Sequence, residues 1–216
     1  MPPLSPSAHS LRDNCSVTES NLILASASPT RARLLANAGV PFRVEASDVD
    51  EDLWKRRARE TGATSEETAL ALAEAKAMVV SRRFLDCWVI GADQMLDCED
   101  RWFDKPVDRR GAEVALRALR GRTHRMVNGV VLVRAEEIAD CHVAVATLTV
   151  RAFSEEFLTW YLDQTGDSVL GSVGAYRLED LGVQLFDAID GDHSGILGLP
   201  LIPLLAMLRR HGIVPD

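Results

Sequence analysis

The chain has 216 residues, 47% of them hydrophobic, and a formal net charge of −8. That composition supports a buried core and excludes a largely disordered chain, while the acidic balance argues against gripping a nucleic-acid backbone, which needs a basic face. No apolar run approaches the ~20 residues that cross a bilayer, and Met1 to Ser20 lacks the apolar stretch of a secretory signal, so a cytoplasmic protein without a membrane partner is expected.

Residues 1–20, rich in Ser and Pro, read as a flexible N-terminal extension, and 21–216 as a single domain. Leu22-Ile23-Leu24-Ala25 is an apolar strand that runs directly into Ser26-Ala27-Ser28-Pro29-Thr30-Arg31. Ser28 suits a helix N-cap and Pro29 the first helical position, so backbone N–H groups and the positive helix end face outward there. That is an anion site, to which Ser26, Ser28 and Arg31 add donors. Taken alone, the turn is better explained as a capped helix with a solvated arginine.

The helix begun at Pro29 is expected to stop at Gly39, followed by a strand over Phe42 to Ala46 and an acidic cluster, Asp48, Asp50, Glu51 and Asp52. Apolar spacing predicts a long helix from Ser65 to Arg83 with Lys76 on its apolar face. A lysine there needs a carboxylate, a phosphate or water at its tip. Cys87 to Leu96 reads as a strand ending its buried run on Asp93, with Asp97, Glu99 and Asp100 supplying a turn into Trp102-Phe103 and Lys105-Pro106. A helix capped by Asp108, a hairpin of Arg125 to Arg134 with Cys141 to Phe153, a helix capped by Ser154, a Gly-rich stretch over Gly166 to Gly182 and a last helix over Pro200 to Arg210 complete the chain. The alternation predicts an α/β fold with a mixed twisted sheet flanked by helices. Cys15, Cys87, Cys98 and Cys141 are scattered without a C-x-x-C pair, so reduced structural thiols are expected.

Seven short motifs occur in one order: S-x-S-P-x-R at Ser26 to Arg31, D-x-D-E at Asp48 to Glu51, G-A-D at Gly91 to Asp93, K-P at Lys105-Pro106, G-R-T-H at Gly121 to His124, G-A-Y at Gly174 to Tyr176 and G-L-P at Gly198 to Pro200. Together they resemble the Maf family of nucleotide pyrophosphatases, from Leu22 to about Gly212. The resemblance implies two lobes around a nucleotide cleft, a homodimer, and hydrolysis of a nucleoside triphosphate to the monophosphate and pyrophosphate. It further implies Asp93 as the base that activates water, with Ser26, Ser28, Arg31, Lys76 and Lys105 on the phosphates. A divalent cation, Mg²⁺ or Mn²⁺, is then expected on Glu51 and Asp93, whose hard oxygens suit it.

Within that family three positions track the accepted base, here Thr30, Gln94 and Glu179. The subgroup preferring thymidine and uridine triphosphates has Arg, Thr and Gln there, and this chain departs at all three. Gln94 and Glu179 resemble the subgroup acting on 7-methyl-GTP, which has Trp where Thr30 stands. The expectation is therefore a pyrophosphatase acting on canonical or modified nucleotides and keeping them out of nucleic acids, with a 7-methyl-GTP enzyme as the alternative. A non-catalytic regulator of septum formation, suggested by the family's historical name, keeps the same nucleotide site without needing Asp93. A nucleotidyltransferase would instead require a G-x-G-x-R turn, and Ser26-Ala27-Ser28-Pro29 is not one. His124 and His193 lack a second histidine at ligand spacing, so no transition-metal site is expected.

Overall fold

The computed structural model describes residues 21–215; the expected N-terminal extension, with Cys15, lies outside them. Seven strands form one mixed sheet: β1 (Leu22–Ala25), β2 (Arg43–Val44), β3 (Trp88–Cys98), β4 (Arg101–Phe103), β5 (Thr123–Arg134), β6 (Glu137–Val150) and β7 (Phe186–Asp190). Their order is β2-β1-β3-β5-β6-β7, with β4 also paired to β3. The first three run parallel and every other pairing is antiparallel. Helices α1 (Pro29–Asn37), α2 (Glu51–Thr61), α3 (Ser65–Ser81), α4 (Arg109–Leu119), α5 (Glu155–Thr165), α6 (His193–Ile196) and α7 (Leu201–Arg210) flank it, with 3-10 turns between Gly166 and Leu185.

Helix α3 covers one face of the sheet. It starts at a capping box in which Thr64 and Glu67 satisfy each other's backbone N–H groups. Its alanines, Ala69, Ala73 and Ala77, press on β3 and β5 where those strands carry Gly91 and Gly129. A Cβ on Gly91 would stand 2.0 Å from the Ala73 carbonyl oxygen, and one on Gly129 2.4 Å from that of Ala69. Glycine at these positions lets helix backbone lie on strand backbone, which is the physical reason for the first letter of Gly91-Ala92-Asp93.

The opposite face carries two separate apolar clusters. One joins Leu22, Leu24, Ile90 and Leu132 to Leu35 of α1 and Leu204, Met207 and Leu208 of α7. The other joins Leu96, Met126 and Leu148 to α4 and α5 through Leu116, Leu119, Leu158 and Tyr161. Gln94 and its cross-strand partner Asn128 belong to neither cluster.

Several expected boundaries change. The second strand shrinks from Phe42 to Ala46 to just Arg43–Val44. The acidic cluster is a helix start: Asp50 accepts from Leu53 N at 2.9 Å and begins α2, which ends at Gly62 with φ 71. Asp97 lies in β3 rather than in a turn, and Glu99-Asp100, both with positive φ, make the turn alone. The polar residues Ala135 to Asp140 are not a loop either. Ala135-Glu136 form a two-residue turn with both φ positive, and β6 starts at Glu137. The outer half of β6 is largely solvent-exposed, so its polar composition mimics a loop. His193 opens α6, and β7 occupies residues for which no strand was expected.

Candidate active site

A gap in the sheet creates the site. β1 pairs with β3 up to Gly91, and β4 takes up that same edge only from Leu96, so Ala92 to Met95, paired with β5 on their other side, have no strand on this edge. A cavity of about 280 Å³ opens at this gap, and a neighbouring one of about 610 Å³ shares much of its wall. Asp93 lies mid-strand, not at a strand end.

The turn after β1 forms one wall. Ser28 caps α1, accepting from Arg31 N at 3.4 Å, and Ser26 Oγ accepts from Ser28 N at 3.2 Å. Arg31 Nε donates to Gly198 O at 2.8 Å and Nη1 to Ser26 Oγ at 3.3 Å, so the guanidinium is fixed across the chain. Burial lowers its pKa from the ordinary value, opposed by the charges of Asp93 and Glu51; arginine remains a cation throughout.

Lys76 reaches from α3 into the gap with a side chain only 8% exposed, and it does not snorkel to solvent. Its ammonium lies 2.6 Å from Asp93 Oδ1 and 2.6 Å from Glu51 Oε1. Those two carboxylate oxygens are therefore no farther apart than twice that distance. The Asp93 side chain is 5% exposed, and its Oδ2 is buried without a hydrogen-bond partner among the described residues. Buried polar atoms are almost always satisfied, so an orphaned carboxylate oxygen facing a cavity marks a place for water, a cation or substrate. Burial acts to raise the pKa of Glu51, but the Lys76 ammonium, then Lys55 and Lys105, outweigh it and hold the carboxyl below its ordinary value. Lys105 also lines both cavities and has no hydrogen-bonded or ion-paired partner among the described residues.

Gln94 points to the opposite face of the sheet from Asp93, as neighbours on a strand must. Its Nε2 donates to Gly195 O at 3.1 Å and to Ile196 O at 3.0 Å, pinning it to α6. Glu179 is held by Arg33 at 3.4 Å and Arg177 at 3.3 Å, and Thr30 lies on the same cavity wall. The fold thus gathers Ser26, Ser28, Thr30, Arg31, Glu51, Lys76, Asp93, Gln94, Lys105 and Glu179 around two adjoining cavities. Among the described residues no group of three or more His, Cys, Asp or Glu side chains clusters as for a metal.

A family model for Maf-like proteins matches residues 21–211. The chain belongs to this family. A nucleoside triphosphate pyrophosphatase of Granulibacter bethesdensis is 50% identical over 190 residues, covering 88% of this chain and 96% of the relative. One of Paramagnetospirillum magneticum is 50% identical over 194 residues, covering 89% and 100%. A 7-methyl-GTP pyrophosphatase of Rhizobium meliloti is 47% identical over 193 residues, covering 89% and 97%.

Sequence reasoning missed several cavity-lining residues of this Maf-like chain. Lys55, Asp104 and Arg177 are charged, and Met126, Tyr176 and Ile196 form an apolar part of the wall. Lys55 stands four residues after Glu51, one helical turn away, so recognising α2 from Asp50 and Gly62 brings it to light. Tyr176 is both buried packing and cavity wall.

Behind Tyr176, its hydroxyl meets His124 Nε2 at 2.7 Å, and His124 Nδ1 is buried without a partner among the described residues. Burial pushes the His124 pKa down from 6.5 to about 4. The unfolded chain thus binds a proton that the folded chain refuses, so stability is intact above pH 6.5 and falls as pH drops towards about 4. The loss expected across that window is about 3 kcal/mol. Urea unfolding of wild type and His124→Gln at pH 7 and pH 5 checks it: the variant should show a clearly shallower decline, and parallel declines would remove His124 as the cause.

Proposed function

We propose that the chain hydrolyses nucleoside triphosphates between the α and β phosphates, releasing the nucleoside monophosphate and pyrophosphate. The observation carrying this reading is the buried Asp93–Lys76 pair, with the half-exposed Glu51 also on Lys76 and one Asp93 oxygen unpartnered among the described residues, beside a cavity lined by Arg31 and Lys105. The names of the relatives point the same way.

In this reading the triphosphate lies along the Ser26 to Arg31 turn, where the helix end and the Arg31 fork take phosphate oxygens. Lys105, without a hydrogen-bonded or ion-paired partner among the described residues, neutralises further phosphate charge. Asp93 Oδ2 accepts the proton of the water that attacks the α phosphorus, the bond from that phosphorus to the α–β bridging oxygen breaks, and pyrophosphate leaves. Lys76 holds Asp93 through its Oδ1 and leaves Oδ2 for the water. Glu51 and Asp93 would hold Mg²⁺ or Mn²⁺, which commonly takes one or two carboxylates and completes its shell with water and substrate phosphates; the cation supplies charge neutralisation on the phosphates.

The base end favours a second, narrower reading, a preference for 7-methyl-GTP. Gln94 commits both amide hydrogens to Gly195 and Ile196, so it can offer the base only Oε1, an acceptor. Glu179 adds a carboxylate. Two acceptors suit the N–H groups of a guanine edge, and the negative charge of Glu179 suits the positive charge of a 7-methylated ring. Thr30 supplies no stacking ring at its position.

Pyrophosphate release from GTP, 7-methyl-GTP, TTP and UTP with Mg²⁺ or Mn²⁺ tests both readings. Release from any member supports hydrolysis. Nucleotide binding with no release from any of them would move the weight to a regulatory nucleotide-binding protein. Glu179→Gln is expected to cut the preference for 7-methyl-GTP over GTP about tenfold; an unchanged ratio would take Glu179 out of base selection.

A further inference from the structure

Of the residues of α2, only Lys55 is buried. Its side chain is 10% exposed, and its Nζ lies 2.7 Å from Asp104 Oδ1, on a side chain that is 49% exposed. The helix has other polar attachments. Glu51 meets Lys76 at 2.6 Å, Arg59 lies 3.9 Å from Asp104 Oδ2, and the Arg59 guanidinium stacks 5.0 Å over the Trp102 ring.

A lysine is a poor choice for docking a helix. Burying an ammonium is costly, and an apolar side chain of similar volume generally serves stability as well or better. Arg59 already engages Asp104 from the next turn of α2, so that carboxylate does not need Lys55 in order to be paired. Lys55 also keeps spare capacity. An ammonium has three donors, and Asp104 accepts from one of them. Lys76 differs, because two carboxylates hold it. Lys55 shares its cavity with Arg31, Lys76 and Lys105, and the carboxylates that act on it are Asp104, Asp93 and Glu51, all at the reacting end rather than at Glu179. Burial would lower its pKa, but the bond to Asp104 and these charges raise it, so the group carries its positive charge in the resting protein.

We propose that Lys55 is a further phosphate ligand, and that its ammonium passes from Asp104 to an oxygen of the leaving pyrophosphate when substrate fills the cavity. This rests on the pyrophosphatase reading above. Asp104 is then the resting partner that keeps a buried charge satisfied while the cavity is empty. Because Lys55 and Glu51 share one helical turn, substrate also draws α2 onto the cleft.

The test is calorimetric titration of the full chain, in Mg²⁺, with inorganic pyrophosphate and separately with GMP. Lys55→Gln is expected to weaken pyrophosphate binding about tenfold, the scale of one charge-assisted hydrogen bond, and to leave GMP binding unchanged. Lys55→Arg should retain most of the pyrophosphate affinity. Asp104→Asn removes the competing carboxylate and should tighten pyrophosphate binding. A purely structural ion pair makes the opposite demand, equal losses in Lys55→Gln and Asp104→Asn for both ligands, and that result overturns the proposal. So does a Lys55→Gln chain that loses GMP affinity only. Should Lys55→Gln fail to fold, the Asp104→Asn and Lys55→Arg titrations still decide, because weaker pyrophosphate binding in Asp104→Asn sinks the idea. Pyrophosphate release assays on wild type separate the two levels. No release from any triphosphate, with Lys55-dependent pyrophosphate binding intact, removes the hydrolytic reading and leaves the ligand role standing.

Discussion

Asparagine at position 93 is expected to lower kcat by about 10²–10⁴-fold, the range that a positioned general base contributes. The side chain keeps its size, and Lys76 keeps Glu51 as a partner at 2.6 Å, so the cavity wall should stay in place. What disappears is a buried acceptor for the proton of the attacking water. Binding measured without added divalent cation, so that the lost metal ligand plays no part, should move the other way. A carboxylate among phosphate-binding cations repels a triphosphate, so its neutralisation should leave nucleotide affinity equal or higher. Single-turnover pyrophosphate release and calorimetry with the same triphosphate read the two effects apart. Residual kcat within tenfold of wild type would remove Asp93 from the base role. Lost affinity together with lost rate would point to a collapsed site instead.

The second large effect is expected from Gly91→Ala. The added Cβ would stand 2.0 Å from the Ala73 carbonyl oxygen and 2.8 Å from the Ala77 Cβ. The first obstacle is helix backbone, which no rotamer change can relieve, so α3 must move off the sheet. Overpacking of this kind costs about 3 kcal/mol or more. For a chain of this size that is a fall in Tm of roughly 6–12 °C, or failure to fold. Gly171→Ala, whose Cβ meets nothing within 4 Å, serves as the control and should stay within about 0.5 kcal/mol of wild type. Any folded Gly91→Ala protein should also turn over slowly, because α3 carries Lys76 and a shift of the helix parts it from Asp93. A Tm equal to that of the control would show that the helix is not seated as closely as described.

The sequence made the phosphate turn legible because its signals are local: an N-cap serine, a proline at the first helical position and an arginine on the first turn. Helix α3 was legible for the same reason, through its periodic alanines and leucines. Helix α2 was not. It is polar along its length and buries one lysine, so it has no apolar stripe for a periodicity argument to find, and only Asp50 and Gly62 mark its ends. Strand β7 is five residues long and mostly exposed, and it joins the sheet through β6 rather than through any pattern of its own. For Lys76 the sequence posed the right question, what an ammonium does on an apolar face, but both answers, Asp93 and Glu51, come from other elements of the fold. Where Asp93 sits was also beyond the sequence. It depends on β1 stopping at Ala25 and on the antiparallel β4 ending at Phe103, opposite Leu96, a relation between strands that no local motif encodes.

That missing stretch of strand has a consequence for how the protein can change. Asp93 and Gln94 are consecutive, yet one looks toward α3 and the other toward α6, and both reach the same cavity because no neighbouring strand seals the edge between them. On the proposed function, the sheet itself divides reactivity from selectivity. Substitutions around Gln94 and α6 are then expected to retune which base is admitted while the Asp93–Lys76 pair, anchored in a different layer, stays undisturbed. Relatives that share the whole fold and differ in their named substrates are what such a partition permits.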